Sequence, residues 1–169
     1  LLVLSDEIYT DLTFCNKYES ISKFYPEGTF ISGGLSKWCG AGGWRVGFFA
    51  VPKKLSNFLD TIVTLASESY STVNTPAQYA AVQAYEGDFT EYKRKTLNIL
   101  QSVGNYVYNN LKSNKVLINQ PQGAFYLMPE FLNKKFKNST HLCEAVLDET
   151  GVAMLPASDF GFNSKRLLT

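Results

Sequence analysis

Half of the chain's 12 glycines fall between Gly33 and Gly47. A stretch so rich in glycine makes a poor helix or strand, because glycine loses more backbone freedom on ordering than any other residue. It suits a loop whose backbone passes close to something or turns through positive φ. Two short apolar runs frame it and read as strands. One is Thr29 to Ser32, leading into Gly33-Gly34. The other is Trp44 to Val51, which Pro52 stops because proline cannot donate to a ladder. Lys37 and Arg45 stand eight residues apart inside this frame.

The first residues, Leu1-Leu2-Val3-Leu4, run apolar and end in Ser5-Asp6-Glu7, the pattern of a buried parallel strand. Such a strand needs neighbours on both sides, and Asn163 to Thr169 reads as the entry to a further strand, so the chain is expected to be part of a longer protein. After Pro52 the period changes. Leu55, Phe58, Leu59, Ile62 and Ala66 recur at three and four residues, which predicts one face of a helix. Asn74-Thr75-Pro76 supplies a cap and a first-turn proline for a second helix through Tyr85, closed by Gly87. Asp88 caps a third, long helix carrying Tyr92, Thr96, Ile99, Val103, Val107 and Leu111, of a kind that commonly bridges two domains. Lys115 to Asn119 and Ala124 to Met128 read as strands joined by a Pro121-Gln122-Gly123 turn. A helix from Ser139 to Thr150 ends at Gly151, and Val152 to Leu155 is a last short strand. The order predicts an α/β region over residues 1–88 and a smaller α+β unit, long helix included, over 89–169.

With 45% hydrophobic and 14% aromatic residues in 169, the chain has the means to bury a core, and a soluble globular protein is expected. Sixteen basic residues against fifteen acidic ones give no field suited to nucleic acid or an anionic membrane. No apolar run reaches the length of a membrane span. Cys15, Cys39 and Cys143 fit neither a disulfide framework nor a zinc site, so a reducing, cytoplasmic setting is expected. Cys39 and Cys143 read as small buried side chains. His141 is expected at the surface, and without partners it implies no metal centre. Lys134, Lys135 and Lys137 read as a solvated basic face.

Chemistry concentrates in Gly34-Leu35-Ser36-Lys37-Trp38-Cys39-Gly40-Ala41-Gly42-Gly43-Trp44-Arg45-Val46-Gly47. An arginine can clamp a phosphate through paired hydrogen bonds, and glycines let backbone N–H groups approach it. A lysine beside such a site can offer its amine to a carbonyl. A solvated loop lysine with a structural arginine fits the same letters.

This stretch resembles, at every restricted position, the cofactor-lysine signature of class I and II aminotransferases. The resemblance implies that Lys37 forms an imine with pyridoxal 5′-phosphate and that Arg45, aided by the Ser36 hydroxyl, binds the cofactor phosphate. Ser5-Asp6-Glu7-Ile8-Tyr9 is similar to the family's strand-end motif. It implies that Asp6 faces the pyridine nitrogen and Tyr9 the ring's phenolic oxygen. Asn74 to Gln78, Pro121 to Tyr126, Gly151-Val152 and Pro156 to Gly161 carry the likeness along nearly the whole chain.

The implied fold is the second half of a pyridoxal-phosphate transferase large domain, a mixed, mostly parallel sheet with helices, followed by a small domain. The implied activity is transfer of an amino group between an amino acid and a 2-oxo acid, in a homodimer. Groups that the family places before the Asp-x-x-Tyr segment lie outside this sequence, so the chain alone is expected to be inactive. The arginine for the substrate carboxylate is expected just past Thr169, with Arg166 the weaker candidate inside the chain. A C–S lyase or aminocyclopropane-carboxylate-synthase-like enzyme of the same fold, a non-catalytic truncated chain and a plain anion-binding module remain as alternatives.

Overall fold

The computed structural model describes residues 1–14, 18–132 and 135–162. Strand β1 (Val3–Asp6) pairs in parallel with β2 (Thr29–Gly34), from Val3 opposite Thr29 to Asp6 opposite Ser32. β3 (Gly47–Ala50) lies antiparallel on the far side of β2, from Ile31 opposite Ala50 to Gly34 opposite Gly47. The opening run is parallel as expected but not buried, because it lies at the edge of the three strands with β2 at the centre, and Leu4 is left 66% exposed. Phe30 on β2 is buried, stacked on Phe49 of β3 with centroids 5.6 Å apart. Phe58 meets it edge-on at 6.1 Å.

The strand expected to start at Trp44 starts at Gly47 instead. Gly42–Trp44 is a 3-10 turn, and Arg45 follows in the left-handed region at φ 54°, ψ 48°, which no extended run can include. A second 3-10 turn, Lys53–Leu55, precedes α1 (Ser56–Tyr70). Of the predicted face, Leu55, Ile62 and Ala66 are half-buried, while Phe58 remains 44% exposed. In α2 (Thr75–Glu86) the Asn74 side chain accepts from the Ala77 amide at 3.2 Å, and Pro76 sits in the first turn. Gly87 closes it with its N–H on the Gln83 carbonyl at 2.9 Å.

α3 (Thr90–Leu111) runs for 22 residues. The Asp88 carboxylate accepts from the Thr90 amide at 3.0 Å, and that hydrogen bond holds its carboxyl below the ordinary range. Compactness divides the chain within this helix, into Leu1–Leu97 and Asn98–Thr169.

In the second unit β4 (Val116–Leu117) pairs antiparallel with β5 (Glu130–Phe131). The strand expected at Ala124 to Met128 is absent, because Ala124 takes φ 56° and turns the chain just where an extended run would begin. α4 (Ser139–Thr150) matches expectation at both ends. The Asn138 side chain accepts from the His141 amide at 2.9 Å, and Gly151 follows at φ 74°. Ser139, Leu142 and Cys143 of this helix are buried, as is Ala157. Burial pushes the Cys143 thiol up. The strand expected at Val152 to Leu155 is irregular chain instead, running into Pro156 and a 3-10 turn, Ala157–Phe160. Four apolar residues without a ladder partner have nothing to hold them as strand.

No helix among the described residues is long and apolar enough to cross a membrane.

Candidate functional site

β1 and β2 run in parallel, and their pairing reaches Asp6 opposite Ser32, so Asp6 marks the carboxyl edge of the pair. The Glu7 amide donates to the Ser32 carbonyl at 2.8 Å, carrying the pairing one residue further. β3 returns antiparallel with Gly47 opposite Gly34, so the loop 35–46 leaves this edge and comes back to it. Three passages of the chain therefore deliver Asp6, Lys37 and Arg45 to one rim, the edge at which open α/β sheets bind ligands. Gly34 and Gly47 permit the closure. A Cβ at Gly34 would lie 2.8 Å from the Val46 carbonyl, and one at Gly47 would lie 2.9 Å from the Gly33 carbonyl.

Asp6 is exposed, and its Oδ1 accepts from the Ile8 amide at 3.2 Å, a local bond that turns the chain toward Tyr9. Tyr9, half-buried, opens a 3-10 turn, Thr10–Leu12. The Lys37 Nζ lies 5.4 Å from the centroid of the Tyr9 ring, within cation–π range. Lys37 is itself half-buried, in a tight turn where the Gly40 amide donates to its carbonyl at 3.3 Å. Ser36 is half-buried, with its carbonyl 3.7 Å from where a Cβ at Gly42 would stand. Arg45 is exposed, and its Nη1 donates to the Gly42 carbonyl at 2.7 Å. The structure thus brings the side chains of Tyr9 and Lys37 together and sets Asp6, Ser36 and Arg45 on the same rim. Arg166 lies outside the described residues, as do Cys15 and Lys134. Arg45 also borders an open recess of about 880 Å³, with Trp44, Phe48, Phe49, Thr72 and Asn74.

Two clusters beside the rim are not legible in the sequence. Trp38, next to Lys37, is 5% exposed, with Tyr85 at 6.2 Å and Phe89 at 6.1 Å between ring centroids. Burial raises the Tyr85 phenol above its ordinary value, while its hydrogen bond with Trp38 works the other way. Lys93 of α3 places Nζ 4.3 Å from the Trp38 centroid and 3.1 Å from Asp11 Oδ1. The other cluster lies behind Asp6, where Ser20 donates to the Glu7 carboxylate and its oxygen sits 2.7 Å from the Ser22 hydroxyl. Spacing gives no sign of either, since their members come from separate elements.

Cys39 is a half-buried free thiol and Cys143 a buried one. His141 is exposed, its Nδ1 accepting from the Lys137 amide at 3.5 Å. Among the described residues no three His, Cys, Asp or Glu side chains gather as a metal site would require.

The family model described as aminotransferase class I and II matches residues 1–167. A probable N-acetyl-LL-diaminopimelate aminotransferase of Bacillus subtilis is 32% identical over 168 residues, covering 95% of this chain and 39% of its own length. An aspartate aminotransferase of Geobacillus stearothermophilus is 35% identical over 170 residues, covering 95% and 42%. Among solved structures, an alanine aminotransferase from Pyrococcus furiosus superposes with a TM-score of 0.88 at 31% identity, covering 99% of this chain and 43% of that one. The chain spans about two-fifths of the length of these relatives.

Proposed function

The chain belongs to the class I and II aminotransferase family, whose members use pyridoxal phosphate, and from that premise we propose that its parent protein transfers amino groups between an amino acid and a 2-oxo acid, with Lys37 as the cofactor's point of attachment. The observation that carries this reading is the Lys37 amine 5.4 Å over the Tyr9 ring, on the rim where β1 ends at Asp6. The donor set suits the cofactor part by part. Asp6 offers a carboxylate to a ring nitrogen, Tyr9 a phenol to a ring oxygen and Lys37 an amine to a carbonyl. Arg45 and the Ser36 hydroxyl suit a phosphate. A Cβ at Gly43 would meet nothing within 4 Å, so the loop leaves room above its backbone for such a group.

When bound, the cofactor supplies an electron sink for the pair released at the substrate Cα. The chain's own residues do the rest. Asp6 would set its carboxylate on the ring nitrogen and so keep that nitrogen protonated. Arg45, whose guanidinium donates to the Gly42 carbonyl, would exchange that hydrogen bond for a charge-assisted pair with the cofactor's phosphate. Lys37 Nζ, as a free amine, would take the proton from the substrate Cα as general base and, as general acid, deliver it to the cofactor carbon C4′. The three relatives carry three different amino donors in their names, so the proposal stops at the amino acid and 2-oxo acid class. The parent is read as a homodimer, as the resemblance implies, in the reducing, cytoplasmic setting that its cysteine usage suggests. The 169-residue chain by itself is expected to bind the cofactor weakly and to turn nothing over.

The test is an absorbance spectrum of the chain mixed with pyridoxal phosphate, followed by borohydride reduction and peptide mapping. Label concentrated on Lys37, and lost in Lys37→Ala with the helical signal unchanged, is the expected result. Label scattered over Lys53, Lys54 and other surface lysines would count against Lys37 as the attachment point.

A further inference from the structure

Tyr9 and Lys37 stand on different passages of the chain, and one side chain from a third element touches the residues beside both. Lys93, on the first turn of α3, lies 3.1 Å from the carboxylate of Asp11, two residues beyond Tyr9. The same ammonium lies 4.3 Å from the ring centroid of Trp38, the residue after Lys37. Both partners are well seated. Trp38 is buried among Tyr85 and Phe89, and Asp11 sits in the 3-10 turn whose next residue, Leu12, is buried. The side chains of Lys93 and Asp11 are 35% and 38% exposed, so their attraction is only partly screened by water. α3 also meets the far side of the lysine turn, because a Cβ at Gly40 would lie 3.7 Å from the Tyr92 hydroxyl.

We infer that Lys93 is a positioning residue, whose ammonium braces the Asp11 turn against the Trp38 ring and so holds the Lys37 amine over Tyr9. The physical reason is the shape of the two supports. The Thr10–Leu12 turn is three residues long and the Lys37 turn is a loop, so neither fixes a side chain by its own ladder. A cation with a carboxylate on one side and an indole face on the other resists both turns moving apart. Asp11 and Trp38 touch Lys93, whereas Tyr9 and Lys37 are the groups whose spacing it sets. The inference rests on the reading of Lys37 as the reactive amine, but the brace itself is tested without the cofactor.

The experiment is trace acetylation of the whole chain with acetic anhydride, quantified by mass spectrometry as Lys37 labelling relative to Lys53 and Lys54. Lys93→Met keeps the stem and removes the charge, and Lys93→Arg keeps both the charge and the ring contact. Lys37 labelling is expected to rise about threefold or more in Lys93→Met, the scale of losing one exposed cation–π contact, and to return in Lys93→Arg. The circular-dichroism helix signal must be retained. If Lys93→Met loses it, the reading passes to Asp11→Asn, which removes the ion pair and leaves the ring contact, and which is expected to raise Lys37 labelling less. Unchanged or reduced labelling, or a rise that Lys93→Arg does not reverse, overturns the brace. Scattered reduction by borohydride in the unmodified chain would instead count against the function and leave this result standing.

Discussion

Leu12 in the first unit and Leu142 in the second are buried to the same depth, each 2% exposed, yet the elements that carry them are held in opposite ways. Leu142 lies on a twelve-residue helix whose ends are written into its neighbours, with Asn138 capping the start and Gly151 turning the chain at the end. Leu12 lies in a three-residue turn whose Asp11 is held by Lys93, far along the chain. Local signals define the second element, and tertiary contacts define the first. The groups proposed for chemistry sit on the same kind of support as Leu12, where geometry is set by neighbours distant in sequence.

Paired truncations give the sharpest test of that contrast and the largest effect. Leu12→Ala and Leu142→Ala should each cost about 2–5 kcal/mol in urea unfolding, because each removes the same buried atoms. Hydrogen exchange should then separate them. Leu12→Ala is expected to loosen the amides from Ile8 to Leu12 and to spread the borohydride-trapped label away from Lys37, while Leu142→Ala loosens α4 and leaves Lys37 labelling alone. Equal disturbance of Lys37 by both would break the contrast.

A smaller effect is expected from the two asparagine caps, one in each unit. Asn74→Ala and Asn138→Ala each remove one side-chain acceptor, from the Ala77 and His141 amides, and each should lower stability by about 1 kcal/mol. Thermal melts of the two variants check the size, and faster exchange at those two amides checks the cause. Matching losses would show that capping works alike in both units, so that their difference lies in the tertiary supports.

The smallest effect belongs to Asp88. Its hydrogen bond from the Thr90 amide lowers its pKa in the folded chain, so the stability it lends to α3 is fully present above the ordinary carboxyl value. That contribution is lost as the pH falls through the lowered folded value. An acid titration of the helical signal should show the loss, and Asp88→Asn, which does not ionise, should flatten it. An unchanged titration in Asp88→Asn would mean that other groups govern the acid limb.

The parts of the fold that were legible are those with a local cause. Asn74 with Pro76, Asn138 with Gly151, and the apolar run from Leu1 to Leu4 each announce their element by residue type. Lys37 and Arg45 were legible as a pair because the glycines between them mark a loop. What failed were extended runs interrupted by one backbone angle. Arg45 at φ 54° delays β3, and Ala124 at φ 56° removes a strand that its apolar letters favour, and neither residue type signals positive φ. The contacts of Lys93 were hidden for another reason. Nothing in its own neighbourhood distinguishes it from the solvated lysine Lys95, and only the folded chain brings Asp11 and Trp38 to it.

The pairing of Gly34 with Gly47 closes the segment between them into a ring, with its two ends clamped to each other. Its amine and its guanidinium therefore leave from one small frame whose two ends stay joined. Motions elsewhere in the protein can bring other groups toward this frame or away from it, but they do not part its two ends while that pairing holds. On the function proposed above, a molecule held at both points would be tied to one stretch of chain, and the work of opening and closing around it would fall to the rest of the fold.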